Sequence, residues 1–172
     1  MEKRLHTLEV ALNNEMKERE FYLKNAGRTS NHLGKTMFQQ IADEELEHYE
    51  RLKQLKETWE KQGKWPDTLP LMVKGTAVKD ILKEVVQKVS QMEAGDDDTL
   101  KAIQTAIAFE AQGAMFYARL RDEVSDQKEK AFFNLLADIE HEHFVSLRET
   151  EEFLTDPASW YRRMESTSLD GA

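Results

Sequence analysis

The chain has 172 residues, 40% hydrophobic and 33% charged, a length and balance that suit one domain with a real core. It has no Cys, which excludes disulfides, thiolate zinc sites, iron–sulfur clusters and a cysteine nucleophile. The formal net charge of -9, with no basic run, argues against a nucleic-acid partner.

Only 3 Pro and 7 Gly interrupt the chain, so long helices are expected. The first spans about residues 3–25, with Leu8, Ala11, Leu12, Tyr22 and Leu23 at helical spacing. A polar turn from Gly27 to Asn31 follows. The second spans about residues 33–62, with Phe38, Ile41, Leu52 and Leu55 on one side. A long link, residues 63–95, carries Pro66 and Pro70 near its start and its own short helix from Val78 to Val86. The third long helix opens at Asp96-Asp97-Asp98, where aspartates cap a helix and oppose its dipole. It continues to Glu123. The fourth opens at Ser125-Asp126, with Glu129 at capping-box spacing, and ends near Leu154. The tail, residues 155–172, contains Trp160-Tyr161 and is expected to pack on the bundle as a short helix or turn. Nothing in the N-terminal residues resembles a secretory signal. No stretch approaches the ~18 apolar residues of a membrane span. A cytoplasmic protein without membrane contact is the expectation.

The chain repeats itself at an offset of 95 residues, without a gap. Ala11, Glu15, Phe21 and Tyr22 recur as Ala106, Glu110, Phe116 and Tyr117. Phe38, Ala42, Asp43, Glu45, Glu47, His48 and Leu52 recur as Phe133, Ala137, Asp138, Glu140, Glu142, His143 and Leu147. Two copies of one antiparallel hairpin, about residues 3–62 and 96–154, are therefore joined by one long crossover. The fold class is an all-α four-helix bundle with a pseudo-twofold axis. A repeated core explains the repeated apolar residues. It does not explain repeated Glu and His, which a core excludes.

Residues three apart share a helix face, so Glu45 projects with His48 and Glu140 with His143. Each pair follows, 30 residues later, a Glu in the partner helix: Glu15 and Glu110. One Glu from each of two helices and one Glu-x-x-His from each of two others is a known ligand set for a dinuclear metal centre. Two divalent cations neutralise its four carboxylates, and the nitrogen and oxygen donors suit iron or manganese. Tyr22 and Tyr117, two turns beyond Glu15 and Glu110, are candidates to hydrogen-bond the ligand carboxylates or to be plain core tyrosines. Asp43 and Asp138 are candidates to orient a ligating His through its other ring nitrogen. Glu18, one turn after Glu15, is a candidate seventh ligand, but its charged neighbours favour a solvated side chain. Its repeat mate is Gly113. Glu47, His141 and Glu142 point away from the ligand face.

These motifs, Glu15-x6-Tyr22 with Phe38-x3-Ala42-x2-Glu45-x2-His48 and their second copy, resemble the rubrerythrin branch of the ferritin-like superfamily over about residues 5–155. The resemblance implies a non-haem centre of two iron ions, with zinc or manganese as alternatives. It implies Glu15, Glu45, His48, Glu110, Glu140 and His143 as ligands, with Glu45 and Glu140 bridging. It implies an oxidoreductase that reduces hydrogen peroxide, or oxidises ferrous iron with oxygen or peroxide, and a homodimer. Storage of iron and a non-catalytic metal-binding or sensory module are the other readings. Two departures stand out. Rubrerythrins carry a four-cysteine rubredoxin domain, which these Cys-free residues do not provide, so either a separate electron-donor protein is needed or turnover is not the chain's role. They also place an extra Glu where this chain has Gly113.

Overall fold

The expected long segments, rich in Glu, Lys, Arg, Leu and Ala, are helical in the computed structural model, which describes residues 2–65, 76–88 and 94–169. Among the described residues there are six α-helices and no strand. They are α1 (Glu2–Arg28), α2 (His32–Gln62), α3 (Val78–Lys88), α4 (Asp97–Glu123), α5 (Gln127–Thr155) and α6 (Pro157–Leu169). Pro66 and Pro70 lie outside the described residues.

The termini have identifiable causes. Asn31, Asp96 and Asp126 are N-caps whose side chains accept from backbone N–H groups of the first turns of α2, α4 and α5. Gly63 ends α2 in the left-handed conformation, φ 65°, where a side chain would be strained. The helix α1 runs past Gly27, which the sequence placed in the turn, because Thr29 N–H still reaches Asn25 O at 3.0 Å.

α1 packs along α2 and α4 along α5, as two antiparallel hairpins. The crossover helix α3 lies on α2 and α5, while α1 and α4 barely meet. The tail forms α6, whose Trp160 and Tyr161 pack edge-on against Phe153 at 5.2 and 5.8 Å.

The apolar core is in two parts. One contains Tyr22, Phe38, Ile41, Ile103, Ala106 and Leu147. The other contains Ala11, Leu52, Leu55, Tyr117, Phe133 and Leu136. Repeat mates fall in opposite parts: Tyr22 against Tyr117, Phe38 against Phe133, Leu52 against Leu147. A twofold axis across the bundle axis has this effect. It passes through the gap between the two parts, and along every long helix that gap is filled by Glu or His. The four-helix bundle of two repeated hairpins, with a short helix in the crossover between them, is read from the sequence and observed among the described residues.

Candidate metal centre

Four side chains that water would normally claim are fully buried in that gap. Glu45 and Glu140 are 0% exposed, His143 is 0% and His48 is 1%. Glu15 and Glu110 are buried beside them. Each arrives because its helix is amphipathic with the inward face carrying it: Glu15 lies between Leu8 and Tyr22, and Glu45 and His48 lie between Ala42 and Leu52.

The six side chains form two overlapping groups. Donor atoms of Glu15, Glu45, His48 and Glu140 lie within 4.8 Å of one another, and so do those of Glu45, Glu110, Glu140 and His143. Glu45 and Glu140 belong to both. His48 Nδ1 stands 3.2 Å from Glu15 Oε2, 3.2 Å from Glu45 Oε2 and 3.6 Å from Glu140 Oε1. His143 Nδ1 stands 3.3 Å from Glu110 Oε2, 3.5 Å from Glu45 Oε1 and 4.0 Å from Glu140 Oε2. The imidazoles are stacked with centroids 6.1 Å apart.

The donor set fits a pair of cations. Glu15 Oε2, Glu45 Oε1, Glu110 Oε2, both Glu140 oxygens and His143 Nδ1 are buried without a hydrogen bond, and they face one another. Such atoms are costly unless a cation or proton satisfies them. The protein's own charges show the same stress. Burial and the Glu45 carboxylate push Glu15 up to about 8. Burial, then Glu45 and Glu110, push Glu140 well above the carboxylate range. Burial alone would raise Glu45, but His48 and His143 outweigh it and hold Glu45 well below that range. Burial depresses both imidazoles, but Glu45 and Glu15 bring His48 up to about 10, and Glu110 takes His143 well above its usual value. Protons thus take the place of metal charge.

Both tyrosines belong to the core and also hydrogen-bond carboxylates of the cluster. The Tyr22 hydroxyl donates to Glu110 Oε1 and the Tyr117 hydroxyl to Glu15 Oε1, each crossing to the other hairpin. Burial and these carboxylates raise both phenols well above 10.

Asp43 and Asp138 do not orient the histidines. Two residues before Glu45 and Glu140, they point roughly 200° away around the helix. They are exposed and accept from Gln39 and Asn134 at 3.0 and 2.8 Å. The His partner is Glu44, which the sequence reading missed. Its Oε2 lies 2.7 Å from His143 Nε2. Its Oε1 accepts from Gln40 at 2.8 Å and from Ala77 N–H, just before α3, at 3.0 Å. Burial raises Glu44, but the His143 bond overcomes it and leaves it at about 2. Its repeat mate is Ile139, so the self-comparison that found the other residues passed over it.

Glu18 also departs from expectation. It is half-buried, not solvated. Burial, then Glu45, Glu110 and Glu15, raise it to about 10, with His48 opposing them. Glu47 and Glu142 pair outward with Arg51 and Lys79, and His141 is exposed.

Residues 6–151 match the family model for rubrerythrin. The chain belongs to the rubrerythrin family. It is also similar to the solved structure of a hypothetical protein from Pyrococcus furiosus, at 25% identity and a TM-score of 0.64, over 87% of this chain and 89% of that one. A comparison with curated proteins finds no significant match. It sets a buried Glu and His cluster inside its bundle, and that cluster could hold metal. No helix among the described residues is long and apolar enough to cross a membrane.

Proposed function

We propose that the chain is a non-haem di-iron oxidoreductase that reduces hydrogen peroxide to water with electrons from a separate carrier protein. The observation that carries this reading is the pair of overlapping buried donor groups sharing Glu45 and Glu140. Glu15, Glu45, His48 and Glu140 would hold one ion, and Glu45, Glu110, Glu140 and His143 the other. A pair of ferrous ions, when bound, supplies the two electrons that cleavage of a peroxide consumes. The chain's own residues do the rest. Tyr22 and Tyr117 fix the outer ligand carboxylates by hydrogen bonds. Glu44 keeps a proton on His143 Nε2, which leaves Nδ1 to face the centre. Glu18 belongs to neither donor group and stands beside them, placed to carry protons inward. These 172 residues contain no Cys to build a thiolate relay, and a separate protein would deliver the electrons.

Metal analysis of the purified protein, with an optical spectrum of the ferrous form before and after anaerobic peroxide, tests this. The expected result is about two iron ions per chain and conversion to a ferric spectrum. Sub-stoichiometric iron, or a ferrous form indifferent to peroxide, would overturn it. A large hollow particle on size measurement would transfer the reading to iron storage.

A further inference from the structure

Hydrogen peroxide is small, yet the space beside the centre is large. Where α1 and α4 part, a cavity of about 700 Å³ opens to the surface. That volume is typical of sites for organic molecules, about 300–1,000 Å³. Glu15, Glu18, Gly113 and Tyr117 line it, and Glu15 and Tyr117 are buried while Glu18 and Gly113 are half-buried. Gly113 is backed directly by the shared carboxylate: a Cβ there would come within 3.3 Å of Glu140 Oε2. The cavity therefore reaches one side of the donor cluster, at Glu15 and at Gly113, which Glu140 backs.

Its walls are aromatic. Phe21 and Phe109 pack edge-on at 4.9 Å, and Phe116 stands beside Tyr117 at 5.2 Å. Its rim is cationic. Lys17 and Arg119 are exposed there, Arg119 with its guanidinium 5.9 Å from the Phe116 ring centre. Neither forms an ion pair among the described residues. In a chain of net charge -9, two cations without an ion pair among the described residues, beside an apolar recess, mark a place for an anion with an apolar body.

We propose that this cavity binds an organic hydroperoxide bearing an acid group, so that the centre acts on hydroperoxides of fatty or aromatic acids. The inference rests on the peroxide-reducing reading and names its substrate class. The apolar body lies on Phe21, Phe109 and Phe116, the acid group meets Lys17 or Arg119, and the peroxide end abuts Glu15 and Gly113. The O–O bond breaks. The distal oxygen leaves as water and the proximal oxygen stays on carbon as an alcohol. Two electrons come from the separate carrier protein and two protons from the medium.

The test compares hydrogen peroxide, cumene hydroperoxide and linoleic acid hydroperoxide as oxidants of the ferrous protein under anaerobic conditions. The fatty-acid hydroperoxide is expected to react at least about tenfold faster than hydrogen peroxide, the scale on which pocket contacts discriminate. Gln112→Trp, a change at an exposed lining position, should lower that ratio about tenfold. A second readout is independent of turnover. Calorimetry of the metal-free protein with the product-like hydroxy fatty acid should show binding that Arg119→Gln weakens. Reaction with hydrogen peroxide but no preference for the organic oxidants would overturn the inference and leave the peroxidase reading standing. Absence of binding would also overturn it. Binding without reaction toward any peroxide would overturn the peroxidase reading, and the substrate assignment with it. A dimer that Met115→Asp separates, with no ligand uptake, would show that a second copy fills the cavity and would overturn the inference.

Discussion

The two histidines are chemically alike in sequence but are held differently. His143 has Glu44 on its outer nitrogen, while the corresponding residue near His48 is Ile139. A carboxylate partner fixes the tautomer and raises the basicity of the inward nitrogen. Glu44→Gln should therefore weaken metal binding about 10–100-fold. Competition against a chelator measures it, and unchanged retention would remove Glu44 from the site. The tyrosines make a second case. Tyr117→Phe deletes the hydroxyl that satisfies Glu15 Oε1. In the metal-free protein this should cost about 1–3 kcal/mol, the range for a buried acceptor left unpaired. Urea unfolding checks it, with Phe116→Leu as a control for lost aromatic packing.

Helix ends explain the hairpins better than helix interiors do. α5 begins where Asp126 accepts from Lys128 and Glu129 N–H at 2.9 and 3.0 Å. Asp126→Ala should destabilise the protein by about 0.5–2 kcal/mol, read from the shift in denaturation midpoint. An unaltered midpoint would mean that packing alone starts this helix. The same element brings Glu140 and His143 one turn apart to the centre, so fraying at its N-terminus leaves them seated. Metal content of this variant should be normal. The crossover matters to the site for a different reason: the start of α3 is tied to Glu44 through Ala77 N–H, at 3.0 Å.

Across the whole molecule the metal-free cluster makes stability depend on pH in a defined direction. Glu15 rises from 4.5 to about 8 on folding and His48 from 6.5 to about 10. For a raised group the contribution is complete below the unfolded value and is lost as pH climbs through the folded one. Glu44 falls from 4.5 to about 2, so its contribution is complete above 4.5 and is lost as pH drops through 2. The metal-free protein should thus be most stable near pH 5 and lose stability steadily toward pH 10. Divalent metal should reverse that slope, because it replaces the protons on the ligands and binds more tightly as pH rises. Melting curves from pH 5 to 10, with and without ferrous iron under anaerobic conditions, check this. Calorimetry in two buffers of different ionisation heat should show net proton release on loading. A metal-free protein indifferent to pH would mean that the six side chains are not so closely confined.

The bundle, the two hairpins and the convergence of Glu15, Glu45, His48, Glu110, Glu140 and His143 are legible in the residues alone, because a gapless repeat preserves chemistry at helical spacing and a twofold axis carries equal positions to one gap. It did not reveal what breaks that symmetry. Glu44 and Glu18 have the mates Ile139 and Gly113, so repetition could not mark them, while Asp43 and Asp138 recur at the repeat offset without facing the site. Which acid touches His143, how far Glu18 is drawn in, and how wide the space between α1 and α4 stands depend on the angles at which helices pack. Those angles are set by side-chain volumes across the interfaces, and only the tertiary structure brings these together.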